Sequence, residues 1–112
     1  AANGDAQGSL GKVTLTDSTI THTGSGSTLY FTNTTAQLDM KNTSITVGSG
    51  GLASAAEDKW GTSGSNGATV TMTVKGSKLK GAVSAGSSSQ ITITTSDEGS
   101  VTGTTSGDVK IS

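Results

Sequence analysis

The chain has no cysteine, no proline and no arginine, and three aromatic residues among its 112. Without cysteine there is no disulfide framework, no thiolate nucleophile and no cysteine-based metal site. No apolar run approaches the ~20 residues of a membrane-spanning helix, so no membrane insertion is expected. Charge is scarce as well: charged residues make up 13% and the net charge is −1, with seven lysines supplying all the positive charge. That balance argues against a nucleic-acid surface or a polybasic membrane face. With 29% hydrophobic residues, no large single core is expected.

What the chain does have is threonine, serine and glycine, which together make up half of it. Such a bias is compatible with disorder, but a strict alternation of apolar and polar residues argues for strands. It is clearest in 36–47, where Leu38 and Met40 alternate with Asp39 and Lys41. Asn42-Thr43 breaks the alternation, and Ile45 and Val47 resume it. We read two short strands joined by a tight bend, with Asn42 suited to the left-handed conformation at the corner.

The same pattern recurs. It appears at Val13–Thr21 with the corner at Asp17-Ser18, at Val70–Lys80 with Gly76 at the corner, and more loosely at Ile91–Val101. Twenty-five residues separate Asp17 from Asn42, and 34 separate Asn42 from Gly76, with an insertion between them. Periods of this size indicate stacked repeats. The expected fold is therefore all-β: a parallel β-helix (β-solenoid) of about four to five coils, right-handed and three-sided, with three strand pieces in each coil of roughly 25 residues.

The whole of 1–112 reads as one domain. Residues 1–9 form a polar lead-in, 48–67 a loop insertion and 109–111 a terminal strand. Leu29-Tyr30-Phe31 reads as a further short strand. Leu52–Trp60, with its alanines and a Gly61 stop, reads as a short helical turn. The opening Ala1-Ala2-Asn3, without methionine, is what a mature secreted protein shows after signal removal.

Thr28–Thr46 and Trp60–Thr73 resemble secreted bacterial right-handed parallel β-helix proteins. More narrowly, they resemble the non-catalytic, adhesin-like or polysaccharide-binding branch of the pectate-lyase-like superfamily. The resemblance implies the fold and an extracellular or cell-surface setting, and it transfers no catalytic residue. Pectate-lyase catalysis uses an arginine base beside acidic calcium ligands, and this chain has no arginine. A non-enzymatic protein is expected, with no cofactor assigned other than calcium as an open question.

Candidate sites are few. Asp97-Glu98 and Glu57-Asp58 are calcium candidates if they lie in loops; in a strand, adjacent carboxylates point to opposite faces. His22, flanked by threonines, reads as a solvated strand residue. Lys75, Lys78 and Lys80 read as a solubilising basic patch. Trp60 and Tyr30 are the glycan-stacking candidates, and packing of Trp60 over its own loop is the competing reading. Asn33-Thr34-Thr35 and Asn42-Thr43-Ser44 match a glycosylation pattern, but corner asparagines account for both. The Thr-x-Thr pairs, such as Thr71/Thr73 and Thr92/Thr94, resemble an ice-binding face. Asp39 and Lys41 interrupt that array, and threonine is in any case a good polar strand former.

The ends carry the functional expectation. A stack of four to five coils is roughly 20 Å tall and exposes unpaired backbone at each end, with neither proline nor a terminal helix to block it. The leading expectation is an extracellular fibre subunit that polymerises head to tail with copies of itself. Val109, Lys110 and Ile111 at one end, and Leu10 and Val13 at the other, are the assembly residues. The alternatives are a polysaccharide-binding β-helix module, a piece of a longer adhesin stalk and an ice-binding solenoid.

Overall fold

Alternation of threonine with valine, isoleucine, leucine or methionine suits a pleated strand buried on one face, and such strands dominate the protein. A computed structural model describes residues 2–3, 9–57 and 67–112. Fourteen strands run through them in chain order: β1 (Ala2–Asn3), β2 (Ser9–Thr16), β3 (Thr19–Thr21), β4 (Leu29–Thr32), β5 (Thr35–Lys41), β6 (Ser44–Thr46), β7 (Ala53–Ala56), β8 (Thr69–Lys75), β9 (Lys78–Lys80), β10 (Val83–Ala85), β11 (Gln90–Ser96), β12 (Ser100–Thr102), β13 (Thr105–Gly107) and β14 (Val109–Ile111). The described residues are all-β.

Every pairing is parallel. One sheet has the order β1-β4-β7-β10-β13 and a second β2-β5-β8-β11-β14, so neighbours within a sheet lie three elements apart in sequence. Two smaller sheets, β3-β6 and β9-β12, pair the short strands that follow the corners. Within the second sheet the registers coincide from strand to strand. Val13 pairs with Leu38, Leu38 with Met72, Met72 with Ile93, and Ile93 with Ile111. The one irregularity is a bulge between Ser9 and Gly11.

The corners are where the alternation breaks. Asp17, Asn42 and Asp97 have positive φ (51°, 49° and 50°), as do Glu98 and Gly76. The ladder continues through them: the amides of Asp17, Asn42 and Gly76 donate to the carbonyls of Lys41, Lys75 and Ser96 at 3.0, 3.0 and 3.1 Å. A hydroxyl residue follows each of the first three corners and bonds back to the carbonyl two residues earlier. Ser18 donates to Thr16, Thr43 to Lys41 and Ser77 to Lys75. At Lys41 and Lys75 the carbonyl thus accepts a hydroxyl as well as the ladder amide, and the side chain braces the bend. Ser77 also accepts the Thr43 amide at 2.8 Å, tying one corner to the next.

Two expectations need correction. Ala53–Ala56, read as part of a helical turn, is a strand that bonds β4 on one side and β10 on the other. It lies within the expected 48–67 insertion, so that segment contributes a sheet strand. Against the expectation of no large single core, the weakly hydrophobic composition builds one continuous core cluster. The cluster is narrow and runs along the stack, from Phe31 and Leu38 through Leu52, Met72 and Leu79 to Ile91 and Ile93. Small residues make this possible, because columns such as Phe31–Ala55–Ala85–Gly107 fill a thin interior with few carbon atoms. Trp60 and Asp58 lie outside the described residues.

Candidate functional site at the two open edges

The inward columns of the second sheet define the site. In the column Val13–Leu38–Met72–Ile93–Ile111, the three central residues are 5%, 0% and 0% exposed, and both terminal ones are 38% exposed. All five have the same inward geometry, and what differs is that Val13 and Ile111 have a covering strand on one side alone. Leu15, Ile20, Val101 and Val109 are likewise only partly buried, each packed against the core from the first or last strand of its sheet. Leu10 lies in β2, and Lys110 lies in β14 between Val109 and Ile111.

β2 and β14 are the end strands of their sheet among the described residues, and β1 and β13 end the other. In a parallel ladder each strand bonds both neighbours, so an end strand leaves half of its amides and carbonyls facing outward. Along β2 and β14 the sequence carries little to block that edge: Lys12 and Lys110 are the charged residues.

Polar contacts on the outer face are local. Asp39 lies between rungs, accepting from Thr73 Oγ1 at 2.7 Å and from Gln37 Nε2 at 3.4 Å, with Lys12 Nζ at 3.0 Å. The Thr73 hydrogen bond, and then Lys12, hold its carboxyl below the ordinary aspartate value. Lys75 pairs with Asp97 at 3.4 Å, and Lys78 and Lys80 face outward from β9. Threonine sits beside threonine at Thr35/Thr69, Thr71/Thr92 and Thr73/Thr94 in this sheet. Gln37, Asp39, Lys12 and Lys110 occupy neighbouring rungs.

The other candidates do not converge. Asp97 and Glu98 are exposed at a corner, Glu57 follows β7, and no group of three or more histidine, aspartate or glutamate side chains gathers among the described residues. His22 lies after β3 rather than in it, half-buried, with Nδ1 3.5 Å from Thr28 Oγ1. Asn33 is buried at a corner with φ 50°, whereas Asn42 is exposed. Tyr30 is 37% exposed on β4. A shallow hollow of about 490 Å³ is lined by Thr69, Gly86, Ser88, Ser89, Gln90 and Asp108, and Tyr30 takes no part in it.

The corner hydroxyls Ser18, Thr43 and Ser77 escaped the reading of the sequence. The available signal was a serine or threonine immediately after Asp17, Asn42 and Gly76. Compared with protein-family models, with curated proteins and with solved structures, the chain matches none.

Proposed function

We propose that the chain is a right-handed, three-sided β-solenoid that serves as a non-enzymatic structural subunit, joining head to tail with further copies of itself into an extracellular fibre. The observation that carries this reading is the column from Val13 to Ile111, closed in its middle and half-open by the same amount at its two ends. A second copy placed on either end would cover the terminal apolar residue and pair the outward backbone groups of β2 and β14. The two ends differ, so each contact joins unlike surfaces; a contact of that kind does not close on itself and generates a filament. The handedness follows the general preference of parallel crossovers. The extracellular setting rests on the resemblance to secreted β-helix proteins.

The test is sedimentation velocity across a wide concentration range, with negative-stain microscopy of the same samples. Mass increasing with concentration, and unbranched filaments of uniform width, are expected. A monomer at every concentration overturns the proposal.

The half-exposed Tyr30 supports a second reading, in which the protein is a polysaccharide-binding module. That reading predicts retention on insoluble polysaccharide that is weakened by Tyr30→Ala or Trp60→Ala. Unchanged retention of both variants removes it.

A further inference from the structure

We infer that copies in such a fibre meet with no register offset, so that Lys110 of one copy lies directly beside Lys12 of the next and the joint is a like-charge contact controlled by ionic strength. This rests on the stacking proposed above and adds its register and its governing charges.

The register follows from the two long sheets. Apart from the bulge between Ser9 and Gly11 where β2 meets β5, the junctions pair strands without offset: β5 on β8, β8 on β11, β11 on β14, and in the other sheet β4 on β7, β7 on β10 and β10 on β13. In the three-sided coil proposed above, consecutive strands run in different directions around the stack. Sliding a docked copy by two residues along one sheet therefore moves it sideways across the other and breaks the second ladder. Only zero offset serves both sheets together.

Zero offset specifies the neighbours. Val109 comes to Gly11, Ile111 to Val13, and in the other sheet Gly107 comes to the position of Ala2, since Gly107, Ala85, Ala55, Phe31 and Ala2 share one register line. The inward position at Val13 is thus compatible, with isoleucine against valine. On the outer face the line Lys12–Gln37–Thr71–Thr92–Lys110 closes on itself, bringing two ammonium groups onto strands about 4.8 Å apart. Asp39, 3.0 Å from Lys12, offsets part of that repulsion from one rung away. Asp108, held by Gln90 Nε2 at 3.0 Å, lies two residues before Lys110 and so does not directly face Lys12.

Like charges directly opposite on paired strands weaken association, and opposite charges strengthen it. Lys110→Glu should therefore tighten the joint by about three- to tenfold in association constant at low salt. It should also reverse the salt response: wild type associates more as salt rises and screens the repulsion, whereas the variant associates less.

The experiment is sedimentation equilibrium at several ionic strengths on wild type, Lys110→Glu and Lys78→Glu. The last makes the same change in net charge on β9, away from either end strand. Circular dichroism of dilute samples confirms that all three fold alike. Tighter association and reversed salt dependence in Lys110→Glu alone are expected. If wild type assembles and Lys110→Glu behaves like it or like Lys78→Glu, the register is overturned and the fibre stands. If none of the three assembles, the stacking itself is overturned.

Discussion

Ile93 and Ile111 are the same residue type on adjacent strands of one inward column, yet Ile93 is 0% exposed and Ile111 is 38% exposed. Substituting each by alanine separates the effect of position from that of chemistry. At Ile93 the lost transfer free energy combines with a closed cavity between Met72 and Ile111, and the expected cost is about 2–5 kcal/mol. At Ile111 roughly three-fifths of the side chain is out of water, and the void opens outward where solvent or relaxation fills it. Complete burial of such a side chain is worth about 1.5–3 kcal/mol, so the expected cost is about 1–2 kcal/mol. The measurement is equilibrium denaturation in urea on dilute protein, comparing midpoints at unchanged slope. Repeating it at high concentration adds a second reading. If copies stack, Ile111 acquires the covering strand it lacks, and the Ile111→Ala penalty rises toward that of Ile93→Ala while the latter barely moves. Equal penalties at both positions in dilute protein would refute the idea that the column is closed at its centre and open at its end. A gap that does not depend on concentration would count against stacking.

Three further outcomes are expected. Asn42 has φ 49° and is exposed, so Asn42→Ala should lower stability by about 1 kcal/mol through left-handed strain, and Asn42→Gly by only a few tenths, read from the same urea midpoints. The Thr34 hydroxyl is buried without a partner, so Thr34→Val, which keeps the shape and removes the oxygen, should raise stability by about 1 kcal/mol, seen as a higher melting temperature. The carboxyl of Asp39 is held below its ordinary value in the folded protein, by Thr73 first and Lys12 second. Its contribution is therefore complete above the unfolded-state value and disappears as pH falls through the folded one. Midpoints measured between neutral and acid pH should show a smaller acid loss in Asp39→Asn than in wild type.

The corners were legible in the sequence because they interrupt a pattern of period two. Asp17, Asn42 and Gly76 all stand where apolar alternation stops, and all have positive φ; Asp97 does too, in a looser copy whose corner the pattern did not single out. The long strands β5, β8 and β11 were legible for the same reason: seven residues suffice to show which face is apolar. Ala53–Ala56 was not. Alanine beside glutamate favours helix locally, and only the carbonyls and amides of β4 and β10 on either side make a strand of it. Val83–Ala85 and Thr105–Gly107 are three residues each, too short for alternation to be seen. At the edges, Val13 and Ile111 were legible as assembly residues, but not that a single strand covers each. That depends on which strand ends the sheet, a property of the stack rather than of any segment.

Coincident register from strand to strand has one more consequence. A sheet whose central junctions repeat one another has no privileged length: inserting a duplicate of one corner-to-corner segment should lengthen each long sheet by about 4.8 Å and leave the remaining columns aligned. Growth by internal duplication and growth by adding molecules would then be the same geometric operation, differing only in whether a peptide bond crosses the seam.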